Sequence, residues 1–216
     1  MKAFVAGATG ETGRRIVQEL VKRNIPVRAL VRDLQQARAI LPESVELVVG
    51  DVLNSDLSAA LADSTVLLCA TGAKPSFDPT GPYKVDYEGT KNLVNAASIQ
   101  GIEHFVFVSS LCTSQLLHPL NLFWLILVWK KQAEEYIQKS GLTYTIVRPG
   151  SLKNEDSTYP VVMSAADTLF DGSIPRTKVA QVCVEALSQP NARNKIVEIV
   201  ANAEAQQKTF EQLFAV

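Results

Sequence analysis

Three glycines recur at every third position near the start of the chain, in the stretch GATGETG that runs from Gly7 to Gly13. An apolar run, AFVA, precedes them and an amphipathic stretch follows. Glycines at a strand-to-helix turn allow a tight bend, let backbone N–H groups approach a pyrophosphate, and let helix and strand pack closely. The spacing therefore predicts a dinucleotide-binding cradle, made of Gly7, Thr9, Gly10, Glu11, Thr12 and Gly13.

The end of the second apolar run, VRALVRD, bears on which ribose the cradle accepts. Arg32 stands where a site for NAD would place an acidic residue, and Asp33 follows it. A carboxylate binds the ribose 2′-OH and repels a 2′-phosphate, whereas a guanidinium forms charge-assisted hydrogen bonds with that phosphate. Arg32 therefore predicts a preference for NADP(H) over NAD(H), although Asp33 could still turn toward the ribose. Arg38 is either a second positive group or a solvated helix residue.

Further cofactor contacts are expected where the third and fourth apolar runs end. Asp51 could accept a hydrogen bond from the adenine amino group, with Val52 beside it. Ala70, Thr71 and Gly72 have small side chains, which leaves room for a ribose beside the backbone. These positions belong with the cradle because open α/β sheets bind ligands outside the carboxyl ends of their strands.

Seven short apolar runs alternate with helical patterns and would position these residues. Runs without polar alternation suit strands buried on both faces, and the helices between them imply a parallel sheet. The predicted fold class is α/β, a Rossmann-type doubly wound parallel sheet of about seven strands with helices on both faces and a small C-terminal substrate region, in one domain over 1–216. Loops are expected at Gly72–Pro82 and Asn154–Pro160, and a helix from Ile174 to Leu187. The expected strands are Ala3–Ala6, Val27–Val31, Val45–Val49, Val66–Ala70, Phe105–Ser109, Tyr144–Val147 and Lys195–Val200.

The composition excludes several classes of function. The chain has 21 Lys and Arg against 22 Asp and Glu and no polybasic block, so nucleic acid is not an expected partner. Its three cysteines lie in or beside apolar stretches and fit reduced thiols better than a disulfide framework. The two histidines form no cluster with metal-ligand spacing, so no metal is expected. The start of the chain shows no signal or transit peptide pattern.

Together these stretches resemble a known family over nearly the whole chain. GATGETG, LVRD, GDV, VDYEGTKNLVNAA, FVFVSS and YTIVRPG occur in the order found in the atypical short-chain dehydrogenases/reductases, above all in their plastid and cyanobacterial members. The resemblance implies NAD(P)H binding, an oxidoreductase with a small-molecule acceptor, and a monomer or weak dimer. It also implies a cytoplasmic or stromal location, with possible peripheral contact with a membrane.

The resemblance also assigns roles to single residues. Ser110 would position the substrate oxygen as a catalytic residue, with Ser109 beside it in the cofactor site. Lys130, ahead of Ala133-Glu134, would act in catalysis and hold the nicotinamide ribose. The backbone of Pro149 and Gly150 would lie near the nicotinamide. Apart from the resemblance, we expect Arg148 to pair with a carboxylate for structural reasons.

The family's usual general acid is missing from this sequence. That acid is a tyrosine four residues before the lysine, and Ile126 occupies the position here. Tyr136, six residues after Lys130, would face elsewhere on the helix. Three possibilities remain: a reductase of flavin-, quinone- or tetrapyrrole-like acceptors, which need less from a protein acid; a reductase with another proton donor, such as Ser110 or water; and a protein that binds NADPH without turnover. The last would be a redox sensor or an assembly or docking factor at a photosynthetic membrane.

An unusually apolar stretch, Leu116 to Trp129, leads into the lysine. Its last eight residues, from Leu122, are all apolar and include Trp124 and Trp129. A membrane-spanning helix needs about 20 such residues, so the stretch is too short to cross a bilayer. It is either the buried start of a helix that lines an apolar substrate pocket, or an exposed patch that contacts a membrane surface or a protein partner.

Overall fold

A ten-stranded, mostly parallel sheet forms the centre of the protein in the computed structural model, which describes residues 1–54, 57–73, 77–122 and 124–216. Part of the expected Gly72–Pro82 loop, residues 74–76, and Phe123 of the apolar stretch lie outside the described residues. The strands are β1 Ala3–Ala6, β2 Val27–Val31, β3 Glu46–Val49, β4 Val66–Cys69, β5 His104–Val108, β6 Tyr144–Pro149, β7 Ser151–Lys153, β8 Val161–Ala165, β9 Ser173–Pro175 and β10 Lys195–Ala201.

Helices cover both faces of the sheet. Ile16 and Leu20 of one helix pack with Val179 and Val182 of another on one face, and Leu93 and Ala133 belong to the core on the other face. A π-helical turn, Tyr83–Glu88, leads into the fourth helix, and Pro119–Leu122 and Pro190–Ala192 form 3-10 turns. The helices are α1 Glu11–Lys22, α2 Leu34–Ile40, α3 Ser58–Leu61, α4 Gly89–Gln100, α5 Ile126–Lys139, α6 Arg176–Ala186 and α7 Phe210–Leu213.

The strand order creates a crevice at the carboxyl edge of the sheet. The order is β3-β2-β1-β4-β5-β6-β10-β9-β7, and β8 pairs with β10. The first six strands are mutually parallel, and β1, β4 and β5 are buried along their whole length, as expected for a sheet covered on both faces. Successive strands are added on one side of β1 up to β3 and on its other side from β4 onward. Doubly wound sheets bind ligands where the strand order reverses in this way, here between β1 and β4.

The predicted fold class is confirmed, but the sheet is larger than the seven strands expected. The additional strands β7, β8 and β9 all lie in the C-terminal third, where β8 runs antiparallel to β10. The prediction that a helix begins at Ile174 is wrong. Ile174 is fully buried in β9, which pairs with β7 and β10, and α6 begins only at Arg176.

Candidate cofactor site

The glycine stretch forms a cradle between the end of β1 and the start of α1. Gly7 has a φ of +77°, and a Cβ placed there would lie 2.6 Å from the carbonyl oxygen of Ala70. A Cβ on Gly13 would lie 2.0 Å from the carbonyl oxygen of Gly7. Neither position therefore accepts a side chain, because both would collide with backbone atoms. The bend and the close approach of α1 to β1 both require glycine.

The first N–H groups of α1 open into this cradle. Gly10 N donates to Gly7 O at 3.0 Å, and Arg14 N donates to Gly10 O at 2.9 Å. The N–H groups of Glu11, Thr12 and Gly13 precede that first full helical bond, so they remain available at the helix start. Together with the helix dipole, such a start favours an anion, and the cradle fits a pyrophosphate.

Two arginines offset the negative charge of Glu11, the acidic side chain of the cradle. The Glu11 carboxylate accepts hydrogen bonds from Arg14 at 2.7 Å and Arg15 at 2.9 Å. The hydrogen bond from Arg15 and the charges of both arginines hold the pKa of Glu11 below its usual value. Glu11 is therefore compatible with an anion nearby. Of the cradle's two threonines, Thr12 is buried and Thr9 is half-buried.

The charged residues after β2 have different environments. Asp33 caps α2, because its Oδ1 accepts hydrogen bonds from Gln35 N at 2.8 Å and Gln36 N at 3.0 Å. Arg38 donates to the carbonyl oxygen of Val45, ahead of β3 and at the opposite edge of the sheet from the cradle. Arg32 is exposed at the carboxyl end of β2, and within the described chain no hydrogen bond or ion pair involves its side chain. Arg32 is thus available to bind a phosphate on a ribose at the end of β2.

The other predicted cofactor residues lie on the same edge. Asp51 Oδ1 accepts a hydrogen bond from Leu53 N at 3.0 Å, which forms a turn after β3. Val52 is buried. Ala70 N donates to Ala6 O at 3.0 Å, so the end of β4 stays beside the cradle. The Thr71 hydroxyl lies 3.2 Å from the sulfur of Cys69, and Gly72 follows it.

Lys130 is buried and paired with an aspartate. Its Nζ lies 2.9 Å from Asp86 Oδ1, and its side chain is 11% exposed. The ammonium also lies 5.7 Å from the ring centre of Phe107 on β5. Asp86 Oδ2 accepts a hydrogen bond from Ala73 N at 3.1 Å. Lys130 is therefore fixed near the ends of β4 and β5, and Asp86 is a site residue that the sequence reasoning missed.

The two serines after β5 have different surroundings. Ser109 is buried and donates a hydrogen bond to Glu134 Oε1 at 2.6 Å. Its hydroxyl thus packs β5 against α5, and a cofactor contact by Ser109 would have to come from its carbonyl group. Side chains of neighbouring extended residues point to opposite sides, so we expect Ser110, which is half-buried, to face the crevice.

Arg148 is fully buried and forms an ion cluster next to these serines, with a carboxylate partner as predicted. It donates two hydrogen bonds to Glu134, at 2.9 and 2.7 Å, and further ones to Asp167 at 2.8 Å and Glu198 at 3.1 Å. Burial would lower the pKa of Arg148, but its hydrogen bonds and charge interactions with the carboxylates outweigh this and raise the pKa. The cluster joins β6, α5 and β10 and is structural.

The turn after β6 completes the edge. Pro149 O accepts a hydrogen bond from Leu111 N at 3.0 Å, and Gly150 N donates to Ile199 O at 3.0 Å. A Cβ on Gly150 would lie 2.6 Å from the carbonyl oxygen of Gly172, so this turn packs directly on the loop before β9. The structure thus gathers the predicted site residues at the carboxyl ends of β1 to β6.

Comparison with known proteins agrees with this arrangement. A protein family described as NAD(P)H-binding matches residues 7–190 of the chain. The chain belongs to this NAD(P)H-binding family. An uncharacterized chloroplastic protein of Arabidopsis thaliana is 50% identical over 99% of the chain and 81% of its own length. The chloroplastic protein TIC 62 of Pisum sativum is 39% identical over 97% of the chain, which spans only 45% of TIC 62.

Two further proteins resemble the chain over its full length. Sanguinarine reductase of Eschscholzia californica is 28% identical over 100% of the chain and 95% of its own length. A solved structure from Bacillus halodurans, described as an NAD-dependent epimerase/dehydratase, superposes with a TM-score of 0.88 at 29% identity, covering 100% of this chain and 99% of the other. The family resemblance and the Rossmann fold predicted from the sequence are confirmed.

This member of the NAD(P)H-binding family has an apolar residue where the sequence comparison expected an acid. Ile126 is the first residue of α5 and packs against a small core that contains Leu111 and Leu127. The Tyr136 hydroxyl donates a hydrogen bond to Asn95 on α4 at 2.6 Å, away from the lysine. No tyrosine on α5 is therefore placed to transfer a proton beside Lys130.

The apolar stretch before α5 is largely exposed. Leu117 is 97% exposed and Leu122 is 84% exposed, whereas Leu127 in the first turn of α5 is buried. The interpretation of the stretch from Leu116 to Trp129 as the buried start of a helix therefore holds only for its last four residues, since α5 begins at Ile126 and the leucines before it are exposed. Trp129 lies inside α5 and packs edge-on against Tyr83, with ring centres 4.9 Å apart. Among the described residues, no helix combines the length and apolarity needed to cross a bilayer.

Proposed function

We propose that this protein is an NADPH-dependent reductase of a small apolar acceptor of the flavin, quinone or tetrapyrrole type. The observation that carries this proposal is the exposed apolar surface on the loops that connect the strands. Exposed large apolar side chains lie on the connections after β4, β5 and β7 and before β9, namely Tyr83, Leu116, Leu117, Trp124, Tyr159 and Phe170. Exposed apolar surface beside a cradle of this kind is suited to an apolar ligand.

The proposed cofactor preference rests on Arg32. NADPH carries a 2′-phosphate, to which an unpaired guanidinium can form charge-assisted hydrogen bonds. Asp33 would compete by binding a 2′-OH, but its Oδ1 caps α2 with two hydrogen bonds. This arrangement supports a preference for NADP(H) over NAD(H).

The proposed reaction needs little acid catalysis from the protein. Bound NADPH supplies a hydride. An acceptor whose ring system delocalises the resulting negative charge can then take its proton from water or from Ser110, so the isoleucine at position 126 is tolerated. Lys130 would hold the nicotinamide ribose. The reductase among the relatives supports this reaction class, and the chloroplastic relatives support a plastid stroma in preference to a cytoplasm.

A panel of acceptors tests the proposal. Purified protein is mixed with NADPH and, in turn, a flavin, a quinone and a linear tetrapyrrole, and NADPH consumption is followed by absorbance. We expect steady oxidation with at least one acceptor and a large loss of rate in Lys130→Met. Lys131→Met is the matched control, because that lysine is next in the chain and outside the Asp86 ion pair. Tight NADPH binding without turnover across the panel would contradict a reductase.

A second function is favoured by one further observation, the exposed leucines of the loop before α5, namely Leu116, Leu117, Leu122 and Leu125. In this alternative the protein binds NADPH with little or no turnover and acts as a redox sensor or as an assembly or docking factor. The loop would then contact a photosynthetic membrane or a protein partner, with the protein itself a monomer or weak dimer. The absence of turnover in the acceptor panel, together with binding through this loop, would favour it.

A further inference from the structure

Asp86 is a buried carboxylate to which the reductase proposal gives no role. It is 1% exposed and lies in the π-helical turn between β4 and α4. Burying a carboxylate is costly unless it is paired and hydrogen-bonded. The partners of Asp86 are the Lys130 ammonium, 2.9 Å from Oδ1, and the Ala73 N–H group, 3.1 Å from Oδ2. Both partners lie in the crevice at the carboxyl edge of the sheet.

The residues around Asp86 fix its position. Thr90 is fully buried, and its hydroxyl donates to the carbonyl oxygen of Asp86 at 2.8 Å. A Cβ on Gly89 would lie 2.7 Å from Val52 Cγ2, so glycine lets the helix lie directly on the loop after β3. Asn92 Nδ2 donates to Val52 O at 3.0 Å and holds that contact. The spacing Asp-x-x-Gly-Thr-x-Asn therefore anchors the carboxylate. Asp86 also lies in a π-helical turn, and such turns are frequent at functional sites.

Asp86 in turn restricts Lys130. A lysine ammonium has three N–H donors on a flexible four-carbon stem. In this protein the stem is buried, one side of the ammonium faces the Phe107 ring, and another faces Asp86. The ammonium therefore stays between the ring and the carboxylate. The same carboxylate holds Ala73, which directly follows the Ala70, Thr71 and Gly72 stretch expected beside a ribose.

We propose that Asp86 is a positioning residue for the nicotinamide half of the cofactor, because it holds the Lys130 ammonium and the end of β4 in one arrangement. This inference rests on the proposed role of Lys130 at the nicotinamide ribose. It is independent of the adenine half, for which Arg32 and Asp51 are the candidates. Asp86 touches neither half itself and acts through its two partners.

Two ligands separate this role from a general effect on folding. NADPH spans both halves of the site, whereas adenosine 2′,5′-bisphosphate carries only the adenine half. Their dissociation constants are measured by calorimetry for wild type, Asp86→Asn, Lys130→Met and the double variant. We expect each single variant to weaken NADPH binding about 10-fold or more, the effect of losing one hydrogen bond to a charged group. Binding of the bisphosphate should be unchanged, and the double variant should be no weaker than the weaker single variant.

The double variant guards against a folding defect. It replaces both charges of the buried pair, so it leaves no unpaired charge in the interior. If it binds the bisphosphate normally and NADPH weakly, the positioning role stands even where a single variant fails to fold. NADPH binding by Asp86→Asn that equals wild type, or equal weakening of both ligands in the folded double variant, would overturn the role of Asp86 alone. A wild type that binds neither ligand would overturn the proposed function as well.

Discussion

Arg32 and Asp33 show how neighbouring charges can have different roles. The sequence alone left both as candidates for the ribose, because both follow β2. In the structure Asp33 is the N-cap of α2. An aspartate that accepts hydrogen bonds from backbone N–H groups at this position stabilises a helix by about 1 kcal/mol. Arg32 has no such local partner in the described chain. The cofactor preference therefore rests on a single side chain and can be tested by one substitution.

Arg32→Glu should remove the preference for NADPH. The charge-assisted hydrogen bonds to the 2′-phosphate are lost and a carboxylate repels that phosphate, so NADPH affinity should fall by roughly 10- to 100-fold. NADH affinity should stay or rise, because the carboxylate can bind the 2′-OH. Calorimetric titration with both nucleotides gives the ratio. Arg38→Glu is the control with the same change of charge, since Arg38 points to the opposite edge of the sheet. Equal NADPH and NADH affinities in the wild type would contradict the argument.

His104 makes the stability of the protein sensitive to acid. Thr145 Oγ1 donates to Ala192 O at 2.7 Å, so it accepts from His104 Nε2–H at 2.9 Å. Burial, with a smaller contribution from Arg193, lowers the pKa of His104 to about 4. Below about pH 6.5 the unfolded chain takes up a proton at this imidazole that the folded protein excludes, so stability falls between pH 6.5 and pH 4, by about 3 kcal/mol.

His104→Asn should abolish this contribution, since an amide does not titrate. Urea unfolding of both proteins from pH 7 to pH 4 measures the difference between their free energies of unfolding. We expect that difference to change through the stated window, whatever the stability of the variant at pH 7. Parallel pH profiles for the two proteins would show that His104 does not titrate as argued.

The candidate site could be predicted from the sequence only where a residue type has a strict backbone role. Gly7 and Gly13 are of this kind, because any side chain there meets backbone atoms. The direction of a side chain was harder to predict: Ser109 bonds to Glu134, 25 residues later, and no local pattern reveals that partner. Asp86 lay within the VDYEGT stretch that supported the family resemblance, but its pairing with Lys130, 44 residues later in the chain, is visible only in the fold.

At the scale of elements, the parallel strands of the sheet could be predicted and the short C-terminal strands could not. The six parallel strands and β10 are rich in apolar residues, and the expected bounds were correct to within two residues. β7, β8 and β9 are three to five residues long and lie at the sheet edge or as an antiparallel addition to β10. The pairing partners of such short strands determine them more than their own sequence does, even where, as in β9, most of the strand is buried. Ile174 and Pro175 were assigned to a helix for this reason.

The loop before α5 depends on one buried amide. Asn121 Nδ2 donates to Gln115 O at 3.2 Å and Leu116 O at 2.9 Å, and its Oδ1 accepts from Leu127 N at 3.0 Å. A single side chain thus bridges the start of the exposed loop and the first turn of α5. The exposed leucines are therefore held in a defined arrangement.

Asn121→Ala should loosen this loop. The three backbone groups lose their partner, and we expect a loss of about 1–3 kcal/mol in the free energy of unfolding. Hydrogen exchange of the segment from 115 to 127 should accelerate, as measured by mass spectrometry. Asn92→Ala is the matched control, because it removes a similar bond to Val52 and should affect the loop after β3 instead. Unchanged exchange at Leu127 in Asn121→Ala would contradict the bridging role.

At the scale of the whole molecule, charge and apolarity are unevenly distributed. The chain has a net charge of −1, yet no acidic residue occurs between Glu103 and Glu134. This interval contains the exposed leucines, Trp124 and the half-buried Lys131, whereas Lys130 is buried in its ion pair with Asp86. An exposed apolar segment with a tryptophan and no acidic residue of its own is the type that inserts into the interface of an anionic bilayer.

The docking hypothesis predicts that the protein sediments with vesicles of phosphatidylcholine and phosphatidylglycerol. Leu117→Ser combined with Leu122→Ser should weaken this binding, since each leucine loses the free energy of burial in the bilayer, roughly a factor of ten per residue. Both leucines are almost fully exposed, so the variant should fold as the wild type does.

Ile99→Ser is the control that separates this loop from general surface apolarity. Ile99 is 73% exposed on α4, far along the chain from the loop, so its loss should leave vesicle binding unchanged. Equal losses in both variants would indicate non-specific adsorption. A wild type that stays in the supernatant would exclude the membrane as the partner. The exposed leucines would then bind either the acceptor or a protein partner. Turnover in the acceptor panel would favour the acceptor, and its absence would favour a protein partner.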